Sequence, residues 1–209
     1  MRSTSLPRLT QRIAVTAGLL VWLSAMSLVT ASLMVSHWVP LPQPEADSPE
    51  LAAKLNQAIT APAPTWRAFH FLYSDCPCSR RVLRKILERS PMNGVVERIV
   101  LVGRANEWET RIRDLGYEFH PLDSVELESN YGIRAVPSLV VVSAAGNICY
   151  SGGYTARKQG PDIADQRIIQ SVLAGEDIES FPVYGCAVAK NLQDIVDPLG
   201  LKYTSETAE

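Results

Sequence analysis

The sequence has no excess charge of one sign: Lys and Arg number 20 against 22 Asp and Glu, a formal net charge of −2. No basic stripe is interleaved with aromatics, so nothing supplies the field that would hold a phosphate backbone, and a nucleic-acid partner is excluded. Histidine and cysteine are scarce, three and four residues in 209. No second ligand pair stands at zinc spacing, and neither a metal nor a cofactor is expected. Repeats and low-complexity runs are absent outside one proline-rich stretch. The 46% apolar and 20% charged content is that of an ordinary folded protein, with length for one good-sized domain plus accessories.

What is there begins with an apolar run. Ile13 to Val35 contains no charge and follows Arg2, Arg8 and Arg12. At 1.5 Å per residue such a run spans a hydrocarbon core of roughly 30 Å. It reads as an uncleaved anchor, because it exceeds a signal h-region and continues past the small residues Val29-Thr30-Ala31. A cleaved signal peptide is the competing reading. Trp38 suits an interfacial ring, and the arginines before the span against Glu45, Asp47 and Glu50 after it place the N-terminus in the cytoplasm. The remainder then lies in a compartment where disulfides persist.

Six prolines between Pro40 and Pro64 are too many for a packed element, so residues 36–64 read as a tether. One short helix interrupts it, with Ser48 as N-cap and Pro49 at its first position. From Trp66 the pattern alternates: "RAFHFLY" is strand-like, "VLRKILER" helical with Val82, Leu83, Ile86 and Leu87 on one face, "VERIVLVG" a strand, "NEWETRIRDLG" a helix. "YEFHPL" and "VELESNYGI" read as a short strand and a short helix. "SLVVVSAAGNICYSGG" is two strands about a turn at Ala144 to Asn147, and "DIADQRIIQSVLAG" a closing helix that ends at Gly175. The β-α-β-α-β-β-α order predicts an α/β domain with a mixed sheet between helices. The expected segments are residues 1–12 cytoplasmic, 13–35 transmembrane, 36–64 tether, 65–176 domain and 177–209 tail, the last with a helix at "AVAKNLQDIV" that Pro198 ends.

The chemistry concentrates in "YSDCPCSRR". Proline disfavours helix in the residue before it and suits the first helical position, so Cys76 becomes an N-cap and Pro77 opens the helix. Free backbone N–H groups there, with Arg80 and Arg81 in the next turn, favour the thiolate, while Asp75 opposes it. Residues two apart on a helix point to nearly opposite sides, so a Cys76–Cys78 bridge requires a bend and is strained. Strain suits a bond that is made and broken repeatedly. The pair therefore reads as a redox pair, against the alternative of two unrelated buried thiols or halves of two structural bridges.

"FHFLYSDCPCSRRVL" followed by "YGIRAVPSLVVV" resembles the thioredoxin superfamily over roughly Trp66 to Gly175. With the anchor, the chain is similar to membrane-anchored extracytoplasmic redoxins of the TlpA/ResA kind. The pairing of C-P-C-S with "YSGGYTARKQG" is similar to RedB-like redoxins. The resemblance implies that Cys76 attacks and Cys78 resolves. It implies that Val136-Pro137 is a cis peptide which lies against the dithiol and offers backbone to a substrate strand. The chain departs from the family in its shortened C-P-C, in Asp75 where tryptophan is usual, and in His70 where a buried acid is usual. His70 is a candidate proton acceptor, against the alternative of a satisfied strand histidine.

Cys149 and Cys186 form a leftover pair that suggests a structural bridge clamping the tail to the domain; two separate thiols, or a relay role for Cys186, are the alternatives. Arg80, Arg81, Arg84, Lys85 and Arg89 read as the solvated side of an amphipathic helix rather than a docking patch. Gly152-Gly153 reads as a bulge or close backbone approach. The expected function is a thiol-disulfide oxidoreductase of the bacterial inner membrane. It would be single-pass, with its domain in the periplasm, and would exchange disulfides with protein thiol/disulfide substrates and a redox partner protein. Copper delivery by the C-x-C thiolates is the first alternative. A peroxidase is the second, weakened because Tyr73 stands where the peroxiredoxin pattern expects threonine.

Overall fold

The computed structural model describes residues 8–38, 40–58, 65–104, 106–158, 160, 162–198, 200, 202 and 203. The first residues of the expected cytoplasmic segment, residues 59–64 of the expected tether, the last residues of the tail and the Trp38 side chain lie outside that description. The chain divides into two compact units, one ending at Val39 and one beginning at Pro40.

The first unit is the helix α1 (Arg8–Trp38). Its stretch Thr10–Ser32 is long and apolar enough to cross a membrane. Large apolar side chains such as Val21 and Leu28 are exposed along it, a surface that suits lipid better than water.

In the second unit, α2 (Pro49–Ala58) starts as expected, with Ser48 Oγ accepting the Leu51 N–H at 3.2 Å. The strands β1 (Trp66–Tyr73), β2 (Val95–Val102), β3 (Glu118–Leu122), β5 (Ser138–Val142) and β6 (Ile148–Gly152) form one sheet in the order β3-β2-β1-β5-β6. The first three run parallel; β5 pairs antiparallel with both β1 and β6. The helices α3 (Pro77–Ile86), α4 (Asn106–Asp114), α5 (Ser124–Tyr131) and α6 (Asp165–Leu173) connect them. This is a thioredoxin-like fold: a parallel βαβ unit with a thiol pair at the start of its helix, followed by an antiparallel pair and a closing helix. The short β4 (Ala135–Val136) pairs with β7 (Cys186–Ala187), which α7 (Lys190–Val196) follows.

Alternation along β1 sorts the core into two layers. Ala68 and Leu72 pack with Val82, Leu83 and Ile86 of α3 and Ile168 and Ile169 of α6. Phe69 and Phe71 pack on the opposite face with Leu51 and Leu55 of α2 and Leu127 of α5. All these side chains are buried, each of the larger ones worth about 1.5–3 kcal/mol of transfer free energy.

Two expectations about the flanks are corrected. The stretch from Pro40 to Ala58 is no loose tether. Leu41 bridges to Val183, the Pro44 carbonyl accepts from Ser151 Oγ at 2.7 Å, and α2 buries two leucines in the core. Prolines have no donor to lose, so an extended proline-rich segment can lie along a surface with few backbone hydrogen bonds, here the Leu41 N–H to the Val183 carbonyl at 2.9 Å. The expected tail is packed over residues 177–192. Phe181, Val183, Cys186, Ala187 and Leu192 pack onto the domain, and Gly153 N–H donates to the Phe181 carbonyl at 2.7 Å.

Candidate active site

The central strand delivers the thiols. β1 ends at Tyr73, and a tight turn follows in which Cys76 N–H donates to the Tyr73 carbonyl at 3.1 Å. Ser74 Oγ holds the turn by accepting the Arg104 N–H at 2.8 Å. Cys76 is the extended N-cap of α3, with φ −83° and ψ 118°, and Pro77 opens the helix. The Val136–Pro137 peptide bond is cis.

Pro137 and Cys78 share a cavity of about 200 Å³. Val82, Tyr154, Ile163 and Tyr184 give it an apolar wall, and Arg81 and Lys158 add positive charge. Cys78 is the half-exposed member of the pair, whereas Cys76 is 0% exposed. What covers Cys76 includes the C-terminal segment, because β7 places Cys186 directly across from Val136. The backbone edge expected to receive a substrate strand is thus occupied by the chain itself.

Three thiols converge here. Cys76 is held well below the ordinary thiol range, first by the neighbouring Cys186 thiol and then by the Cys78 thiol. Burial opposes this, and the Ser79 backbone N–H assists. Cys78 and Cys186 are both pushed up, each first by its hydrogen bond to Cys76 and then by burial. The arrangement favours the thiolate at Cys76 and disfavours it at the other two. The arginines play a smaller part than the sequence suggests. Arg81 donates to the Gly160 carbonyl, Arg80 is exposed, and Asp75 is paired with Arg104 at 2.7 Å.

The expected Cys149–Cys186 bridge is not formed. All four cysteines are free. Cys149 is exposed on β6, its thiol directed to the Asn147 carbonyl at 3.6 Å, while Cys186 is buried against Cys76. The reason is strand pairing: β7 joins β4 at the proline loop rather than the exposed side of β6.

His70 is a satisfied strand histidine. It is fully buried, with Nδ1 2.9 Å from Tyr154 Oη and Nε2 3.0 Å from Glu97 Oε2. Glu97 also accepts from Arg89 Nη1 and Nη2 at 2.8 and 2.9 Å, and Arg89 reaches Asp165 at 2.6 Å. Burial pushes the Glu97 carboxyl up, but the hydrogen bonds from His70 and Arg89 outweigh it and hold it at about 2. Both ring nitrogens of His70 are engaged, so it is not offered to a metal at the cysteines. His120 lies on β3, two strands from β1.

Arg89 is therefore no part of a solvated face; Arg80, Arg84 and Lys85 are exposed as expected. Sequence reasoning missed Glu97, Tyr154 and the position of Cys186. Glu97 had a readable signal, since it shares the inward period of β2 with Val95, Ile99 and Leu101 and so had to be paired. Gly152-Gly153 is the close approach expected of it. A Cβ on Gly153 would meet the Pro182 carbonyl oxygen at 2.1 Å.

No family model and no curated protein matches the sequence. Solved structures similar to this chain include StoA from Bacillus subtilis, 21% identical, covering 51% of this chain and 81% of that one, with a TM-score of 0.36. A candidate thioredoxin from Neisseria meningitidis is 15% identical over 56% of this chain and 80% of its own, with a TM-score of 0.40. A hypothetical protein from Sinorhizobium meliloti is 16% identical over 73% and 91%, with a TM-score of 0.42.

Proposed function

We propose that the chain is a thiol-disulfide oxidoreductase acting through Cys76 and Cys78. The observation that carries this reading is a buried cysteine at the N-terminal end of α3, its pKa lowered by two neighbouring thiols, with Cys78 and Pro137 on one cavity and Cys186 paired opposite Val136. Cys76 attacks one sulfur of a partner's disulfide, the partner's second sulfur leaves, and a mixed disulfide results. Cys78 then attacks Cys76 Sγ, freeing the partner's remaining thiol and closing Cys76–Cys78. A second redox protein returns the pair to dithiol. The substrates are protein disulfides outside the cytoplasm, and α1 anchors the enzyme in a bacterial inner membrane with its domain in the periplasm.

The test is disulfide exchange by the full-length chain in detergent against a model protein disulfide. Cys76→Ser removes the nucleophile and abolishes exchange. A Cys76→Ser protein that exchanges at the normal rate refutes the mechanism.

A further inference from the structure

The C-terminal segment lies where a substrate would. It runs as a short antiparallel strand along the backbone of Ala135 and Val136 and puts a cysteine opposite the residue before Pro137. The close fit depends on small residues. A Cβ on Gly185 would stand 1.9 Å from the Val136 carbonyl oxygen, and one on Gly153 would strike Pro182 on the other side. The segment is also tied at its far end. Ala187 N–H donates to Tyr203 Oη at 2.8 Å, Lys202 Nζ to the Gly185 carbonyl at 3.2 Å, and Val188 N–H to the Arg134 carbonyl at 2.8 Å. An ordinary buried cysteine needs none of this. Here strand pairing, glycine contacts and capping hydrogen bonds all fix Cys186 opposite Val136 at the proline loop, close enough to Cys76 for the two thiols to interact.

We propose that Cys186 is a third redox thiol, carried on a built-in strand that mimics a substrate and forms a Cys76–Cys186 disulfide. The proposal rests on the oxidoreductase reading of Cys76 and adds a second partner for it. Geometry favours that partner. Cys78 lies in the first turn of α3, two residues from the N-cap Cys76, so their bridge closes a very short ring that includes the helix entrance, whereas Cys186 approaches from a separate strand and leaves α3 intact.

The chemistry balances. After Cys76 forms a mixed disulfide with its partner, the Cys186 sulfur attacks Cys76 Sγ. The Cys76–partner bond breaks, Cys76–Cys186 forms, and the proton from Cys186 passes to the departing partner thiolate. The partner's disulfide has then gained two electrons and the two protein thiols have lost them. Cys78 regenerates Cys186 by attacking Cys76 Sγ in turn, with no further reactant. An external strand can reach the Val136 edge only after the built-in one leaves it, so the same segment gates access to Cys76.

The experiment equilibrates the full-length chain in detergent with mixtures of reduced and oxidised dithiothreitol, quenches with acid, alkylates, and maps tryptic peptides by mass spectrometry. Cys76 and Cys78 share the peptide between Arg67 and Arg80, while Cys186 lies between Arg167 and Lys190, so a Cys76–Cys186 bridge appears as two linked peptides. The linked pair is expected in the wild type and becomes the sole product of Cys78→Ser. Cys186→Ala loses it and keeps the intrapeptide Cys76–Cys78 bond. If the wild type forms only Cys76–Cys78, and Cys78→Ser leaves Cys76 and Cys186 alkylated at every potential, the third-thiol proposal is overturned and the oxidoreductase reading stands. If Cys76 enters no disulfide in any variant, both fall.

Discussion

The seating of the C-terminal strand can be perturbed at one position, Gly185. Its φ lies outside the left-handed region, so alanine there suffers no backbone strain, only collision. The added Cβ would lie 1.9 Å from the Val136 carbonyl oxygen and 2.5 Å from Pro137 Cδ. Both are far inside van der Waals contact, and neither neighbour is the free end of a flexible side chain. Overpacking of this kind costs about 1–3 kcal/mol. If the cost falls on the seated strand, its opening equilibrium rises about fivefold to about 150-fold, at 1.4 kcal/mol per factor of ten. Alkylation of Cys186 in the reduced native protein follows that equilibrium when reclosing is fast. The assay is iodoacetamide labelling of full-length wild type and Gly185→Ala, read cysteine by cysteine. Exposed Cys149 serves as the internal reference and should not change. A denaturant titration of both proteins separates local opening from global loss. An unchanged Cys186-to-Cys149 rate ratio in Gly185→Ala would refute the reasoning.

Three further outcomes are expected. Replacing Arg89 by methionine strips the buried Asp165 of its ion-pair partner and leaves Glu97 only His70 and the Met92 N–H, and should cost about 3–5 kcal/mol in denaturant unfolding; a loss below about 1 kcal/mol would show that the network is not buried as described. The Glu97 carboxyl is depressed on folding, from 4.5 to about 2. Its stabilisation of roughly 3 kcal/mol is therefore complete above about pH 4.5 and lost as pH falls toward 2, and stability-against-pH curves for Glu97→Gln should lack that window. Finally, Cys186→Ala removes the leading hydrogen bond to the Cys76 thiolate, worth about 1.5–3 kcal/mol, so the thiolate ultraviolet absorbance should titrate about one to two pH units higher; the Cys78→Ser/Cys186→Ala double variant should accumulate mixed disulfides on a gel where Cys78→Ser alone does not.

Much of the fold was legible because it rests on local patterns. The 3.6-residue spacing of Val82, Leu83 and Ile86, the X-Pro break at Cys76-Pro77, the turn between β5 and β6 and the Gly175 stop, at φ 76°, each declare an element within a few residues. The flanks were misread for a related reason. Proline density is a local signal, and it argues against helix and sheet but not against an extended segment lying on a finished domain, as residues 40–44 do. The two-residue strands β4 and β7 have too few positions to display a period at all.

The site divides along the same line. The proline loop facing the pair followed only from the resemblance to the thioredoxin superfamily. By itself the sequence determined that Cys76 caps a helix at the end of a strand and that Cys78 stands beside it. These depend on neighbours in the chain, and backbone sterics act at that range. Only the tertiary structure decided which thiol the leftover Cys186 meets, and that His70, Glu97, Arg89 and Asp165 form one buried network. A cysteine 110 residues downstream of Cys76 reaches it through β7 pairing on β4 and through glycines that let two backbones touch. Those contacts are set by where the whole sheet and its packed flanks bring the chain, and no spacing in the sequence encodes them.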